Sequence, residues 1–125
     1  MKMKFFKFYD DAIVPSYQTE GAAGFDFYVY LDKPYVLKPG EIKDFGTGIG
    51  VEIPSGYELR LSSRSGLSFK NHVLLMNFGD KDFIVEPGMR IAQGVVTKYE
   101  RIEFEEVSNL SKTGRLGGFG STGLR

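Results

Sequence analysis

The chain contains no cysteine and only one histidine, His72. Disulfides, thiolate nucleophiles and Cys-based zinc sites are excluded, and a His-rich metal site with them. A Ser–His–Asp triad could run only through His72, which has no acidic neighbour in sequence and is assigned no catalytic role. Charge of one sign is lacking too: sixteen basic side chains cancel sixteen acidic ones, so nothing suggests a polyanion-coating protein. No run approaches the ~18 apolar residues of a membrane-spanning helix. The first residues, Met1-Lys2-Met3-Lys4-Phe5-Phe6, lack the apolar core and cleavage site of a signal peptide. The expectation is a soluble, cytoplasmic protein with no nucleic-acid or membrane partner. Helical patterning is missing as well, since no apolar periodicity survives three turns without a Gly or Pro.

What is present is the grammar of strands and turns. A 125-residue chain is one domain able to bury about two-thirds of its unfolded surface, and eleven Phe and seven Tyr supply a core. Sixteen glycines and five prolines punctuate short aromatic and β-branched runs. The run from Phe25 to Tyr30 is rich in strand formers, while Tyr57-Glu58-Leu59-Arg60-Leu61 and Ile102-Glu103-Phe104-Glu105 alternate with period two. Pro39-Gly40, Pro54-Ser55-Gly56 and Pro87-Gly88 each precede a strand-like run. Proline presets φ at the first central turn position, and glycine accepts the positive φ that a type II turn needs next. The composition predicts an all-β barrel or sandwich.

Residues 108–125 differ from the rest, with five glycines, three basic residues and no acidic ones. Residues 1–107 are expected to form the β-barrel core. Residues 108–125 should form a flexible glycine-rich arm, since so few apolar groups cannot offset the entropy of ordering.

Four stretches could carry chemistry. In Gly117-Gly118-Phe119-Gly120-Ser121-Thr122-Gly123, successive glycines let backbone N–H groups approach an anion. Ser121, Thr122 and Arg115 add donors, and Phe119 could stack on a base; an unstructured glycine-rich tail accounts for the same residues. Ser63-Arg64-Ser65-Gly66-Leu67 places a guanidinium fork and hydroxyls on one turn at a strand end, suited to phosphate oxygens or to solvent. In Gly88-Met89-Arg90-Ile91-Ala92-Gln93, strict alternation would put Met89, Ile91 and Gln93 on one face and Arg90 and Ala92 on the other. Asp26 lies in the aromatic Ala22-Ala23-Gly24-Phe25-Asp26-Phe27. A charge there is costly unless paired, so it should meet Arg64 or Arg90, or hold a metal's waters.

In this order the four stretches resemble motifs of the trimeric dUTPase family: Ala23-Gly24-Phe25-Asp26 its first, Arg64-Ser65-Gly66-Leu67 its second, Gly88 to Gln93 its fourth and Gly117 to Gly123 its fifth. The resemblance implies a distorted jelly-roll β-barrel, a homotrimer with shared active sites, and Mg2+-dependent hydrolysis of dUTP to dUMP and pyrophosphate. It implies phosphate contacts from Arg64, Ser65, the Gly66 amide and Gln93, and a water-mediated hold on magnesium by Asp26. Arg90 would orient the acidic groups, and Arg115 would reach the phosphates from a shifted position. Phe119, flanked by Gly118 and Gly120, would cover uracil, while Ser121 and Thr122 would take the γ-phosphate. The related deoxycytidine triphosphate deaminases share the fold but lack so complete an arm.

The chain departs from the pattern at Ser63, where the family usually has proline, and at Met89, where it usually has aspartate. A larger departure lies between Gly66 and Gly88. There the family places a third motif, a hairpin that reads uracil and carries a stacking tyrosine and a water-activating aspartate. Here Ser68 to Val73 runs almost directly into Leu74 to Gly79, and no Gly-x-Ile-Asp-x-x-Tyr-like segment is present. Asp80 and Asp82, in a tight turn, are poor substitutes. The alternative implied is a nucleotide-binding or regulatory module with impaired catalysis.

Overall fold

The computed structural model describes residues 1–62, 68–69 and 72–111. Among the described residues there is no helix and every strand pair is antiparallel. The strands are β1 (Lys4–Lys7), β2 (Phe25–Tyr28), β3 (Tyr35–Leu37), β4 (Ile42–Gly46), β5 (Ile49–Glu52), β6 (Tyr57–Ser62), β7 (Ser68–Phe69), β8 (His72–Met76), β9 (Phe83–Val85) and β10 (Arg90–Lys98). They pair as β1-β5, β2-β10-β6, β3-β9 and β4-β8-β7.

All three Pro/Gly turns form, and at Pro39-Gly40 and Pro87-Gly88 proline takes the first central position as the sequence predicts; in the third, Pro54 stands one place earlier and Ser55 takes that position. Gly40, Gly56 and Gly88 have φ of 77°, 85° and 77°. Their turns close through Glu41 N–H to Lys38 O (2.9 Å), Tyr57 N–H to Pro54 O (3.1 Å) and Met89 N–H to Glu86 O (3.0 Å). An L side chain is strained at such φ values, so each glycine fixes where a strand begins.

The core gathers one face from each of the larger sheets: Phe25, Phe27 and Val29 from the β2 segment, Ile91 and Ala92 from β10, Phe45 from β4, and Val73 and Leu75 from β8. Leu37 and Val85 close it at the β3-β9 pair. Leu59 and Leu61, the apolar positions of the period-two run in β6, pack against it. Burying each large apolar side chain is worth about 1.5–3 kcal/mol, which is why period two in β2 and β6 is sufficient to orient those strands.

Two further sequence expectations fail. Residues 101–107, where Ile102-Glu103-Phe104-Glu105 alternates, form no strand. They have no strand partner among the described residues, and Ile102 and Phe104 are 66% and 91% exposed. Strict alternation across Gly88–Gln93 fails as well. The register between β10 and β2 shifts between Arg90 and Ala92, so Arg90 opposes Tyr28 while Ala92 opposes Phe27. Ile91 is the extra residue of a β-bulge, and Ile91 and Ala92 are both buried while Arg90 and Gln93 are both exposed.

Candidate active site

β2 is a core strand whose outward position is an acid. Phe25 and Phe27 enter the core, which turns Asp26 to the other face. Asp26 is nevertheless only 8% exposed. Beside it runs a segment without a strand of its own, in which Ser16 forms an isolated antiparallel bridge to Asp26. The Asp26 amide donates to Ser16 O at 2.9 Å, and the Ser16 amide donates to Asp26 O at 3.4 Å.

The bulge brings the other described site residues to the same face. Directly opposed residues of an antiparallel pair project to one side. Arg90 opposes Tyr28 and Gln93 opposes Asp26, so all four side chains share the outer face of the sheet. Arg90 Nη1 donates to Asp26 Oδ2 at 3.5 Å, its side chain 61% exposed and that of Asp26 11%. Gln93 is also flanked by Ser62 of β6. Ser62 ends β6, and residues 63–67 lie outside the described residues.

Gly24 explains how the Gln93 side chain fits. A Cβ on Gly24 would stand 2.6 Å from Gln93 Cγ and 2.7 Å from its Cδ. The Gln93 side chain therefore lies along the Gly24 backbone, where only glycine leaves room.

This arrangement offers one buried carboxylate beside a guanidinium and an amide. An ionised carboxylate has about four acceptor positions, and among the described residues only Arg90 fills one of Asp26's, at long range. Spare acceptor capacity on a buried oxygen suits water held on a hard cation. The described residues contain no group of three or more His, Asp or Glu able to cage a metal directly. They fit Mg2+, which keeps several waters and commonly relies on one carboxylate plus substrate phosphates. Arg64, Ser65, Gly66, Arg115, Gly118, Phe119, Gly120, Ser121 and Thr122 lie outside the described residues.

Sequence reading missed two further groupings. Tyr28, on the same strand face as Asp26, bonds through its hydroxyl to Ser16 Oγ at 3.0 Å and receives a bond from Gln18 Nε2 at 2.9 Å. Period two from Asp26 points to Tyr28, but nothing local points to Ser16. His72 does have an acidic partner: its Nδ1 stands 2.9 Å from Asp44 Oδ1, the pair partly exposed on the outer face of β4 and β8. That partner lies 28 residues away in sequence.

The region of the missing motif is closed in the fold. Phe69 and His72 are paired across β7 and β8, so only residues 70 and 71 lie between the two strands.

The family model described as dUTPase matches residues 10–74 and 70–123, in two pieces that meet at residues 70–74. A deoxyuridine 5'-triphosphate nucleotidohydrolase of Rickettsia felis is 40% identical over 131 aligned positions, covering 89% of this chain and 88% of the relative. One from Chlamydia trachomatis serovar D is 43% identical over 143 positions, covering 97% and 99%. In the first alignment 89% of 125 residues is about 111, so about 20 of 131 positions have no residue here. In the second, 97% is about 121, which leaves about 22 of 143. A solved Staphylococcus bacteriophage 80alpha dUTPase with dUPNHPP superposes with a TM-score of 0.77 at 22% identity, covering 98% of this chain and 99% of that one. A mutant dUTPase from phage phi11 of S. aureus, described with a structural Mg(II) ion, gives 0.76 at 17% identity and covers 90% and 100%. The solved structures establish the jelly-roll type of fold. With a family match over most of its length and relatives at least 40% identical along about nine-tenths of it, the chain belongs to the dUTPase family.

Proposed function

We propose that this chain hydrolyses dUTP to dUMP and pyrophosphate with Mg2+, as a cytoplasmic homotrimer whose active sites are shared between subunits. The observation that carries this reading is the common face of Asp26, Arg90 and Gln93 in a chain whose relatives are named for dUTP hydrolysis. Exposed large apolar side chains support the oligomer: Phe5, Phe6, Phe8, Ile102, Phe104 and Leu110 are all at least half exposed.

The products require water to bond to the α-phosphorus while the bond from that phosphorus to the oxygen bridging it to the β-phosphorus breaks, and the departing pyrophosphate keeps the electron pair. Asp26 would accept hydrogen bonds from water on Mg2+, and Arg90 would hold that carboxylate in place. The chemistry a bound Mg2+ supplies is neutralisation of phosphate charge. Gln93 would donate its amide to a phosphate oxygen, alongside Arg64, Ser65 and the Gly66 amide. The arm, residues 108–125, would close over the nucleotide, with Phe119 on uracil, Ser121 and Thr122 on the γ-phosphate and Arg115 nearby.

A second reading is favoured by the roughly 20 alignment positions without a residue here. A chain lacking the family's water-activating aspartate forgoes a contribution of about 10²–10⁴-fold, and would bind nucleotide with poor base selectivity and little turnover. Pyrophosphate release from dUTP, dTTP and UTP at high enzyme concentration, beside calorimetry with dUpNHpp, separates the two. Mg2+-dependent turnover selective for dUTP supports the hydrolase; binding without turnover supports the module. Absence of both rejects each reading.

A further inference from the structure

Tyr28 is the member of the outer face that neither the motifs nor the proposed reaction uses. It stands two residues from Asp26 on β2 and directly opposes Arg90 on β10. A phenol offers one hydrogen and acceptor lone pairs. Gln18 Nε2 donates to the Tyr28 oxygen at 2.9 Å, and Ser16 Oγ lies 3.0 Å from it. One atom thus gathers two side chains from a three-residue stretch that belongs to no strand. Ser16 in turn makes both backbone bonds to Asp26. Residues 16–18 form a strap along the edge of β2, tied down at one end by Asp26's backbone and at the other by Tyr28's hydroxyl.

The strap runs beside a carboxylate that faces outward and is yet 8% exposed. It fixes the backbone from which that carboxylate reaches toward Arg90. We propose that Tyr28 is a positioning residue for Asp26: by anchoring Ser16 and Gln18 it sets how well that carboxylate holds a hydrated divalent cation when nucleotide binds. The inference rests on the proposed function for its ligand, and on the hydrogen bonds alone for the strap.

The test uses the full chain and its Tyr28→Phe, Ser16→Ala and Ser16→Thr variants. Calorimetric dUpNHpp binding is followed across a Mg2+ titration, and amide exchange is followed at Asp26. Tyr28→Phe keeps the ring and removes the hydroxyl. The Mg2+ midpoint should rise about three- to tenfold, in the range typical of groups that orient metal-binding side chains, while nucleotide binding without Mg2+ stays unchanged. The Asp26 amide should exchange faster. Ser16→Ala should shift both readings in the same direction, and Ser16→Thr, which keeps a hydroxyl, should restore them. In an Asp26→Asn background Tyr28→Phe should add nothing to the Mg2+ midpoint, because coupled residues are not additive. An unchanged midpoint in Tyr28→Phe, or an equal shift in the Asp26→Asn background, overturns the proposal. If the wild-type chain binds no nucleotide, the proposed function fails separately, and Asp26 amide exchange alone decides the strap: faster exchange in Tyr28→Phe supports it, and unchanged exchange overturns it.

Discussion

Arg90 and Gln93 stand three residues apart on β10, yet both side chains share a face with Asp26 because the strand bulges at Ile91 between them. In a regular strand residues an odd number apart point to opposite faces. One inserted residue restores the match and lets Ile91 and Ala92 both enter the core. The bulge thus serves packing and the site together, in keeping with the frequency of bulges beside active sites.

The Arg90–Asp26 pair is asymmetric, with 61% of one side chain and 11% of the other exposed. Arg90→Ala should destabilise the fold by about 1–3 kcal/mol, because it strips a buried carboxylate of the one side-chain donor that the described residues give it. Asp26→Asn should cost under about 1 kcal/mol, since the arginine rehydrates. Urea denaturation of both variants measures the difference, and equal losses would contradict the asymmetry.

Gly24→Ala should push the Gln93 side chain from its place, given the 2.6 Å approach to Cγ. Because that side chain ends in solvent, the loss of stability should be small. Affinity for dUpNHpp should fall about tenfold, the value of one hydrogen bond of roughly 1.4 kcal/mol. Calorimetry beside thermal unfolding checks whether binding and stability separate in this way.

At alkaline pH one tyrosine should ionise late. The hydrogen bond to Asp11, followed by desolvation, pushes Tyr30 up to about 12 from 10.0. A folded value above the unfolded one means that the contribution is fully present below pH 10 and disappears as pH rises through about 12. Ultraviolet titration should find a tyrosine titrating in that range, absent in Tyr30→Phe, whose stability should fall less over the same interval.

On the acid side, Tyr35 donates a hydrogen bond to Glu41, and that bond, ahead of one from the Lys38 amide, lowers the Glu41 carboxyl below 4.5. A depressed folded value contributes stability that is present above pH 4.5 and lost as pH falls through the folded value. Tyr35→Phe should therefore flatten the decline in stability below pH 4.5. An identical acid limb in chemical denaturation of wild type and variant would argue against the pair.

Three copies of a 14.0 kDa chain would give a particle of about 42 kDa. Light scattering should find that mass, and Phe104→Glu, at a residue 91% exposed in the single chain, should reduce it without lowering the stability of the monomer. A 14 kDa wild-type particle at micromolar concentration would contradict the trimer.

Much of the fold was legible from local patterns. Two Pro-Gly pairs and Pro54-Ser55-Gly56 located three turns because φ at a glycine is a property of that residue and its neighbours. Strand formers marked β2, period two oriented β6, and an acid among aromatics was bound to need a partner. Tertiary pairing decided the rest. The bulge arises from registering β10 against β2, Ser16 bridges Asp26 from ten positions away, and His72 meets Asp44 across two strands. Strand-like alternation at Ile102–Glu105 produced no strand because a β-strand requires a partner to take its hydrogen bonds. Residue order dictates which way each side chain leans, but only the closed sheets determine which distant groups meet.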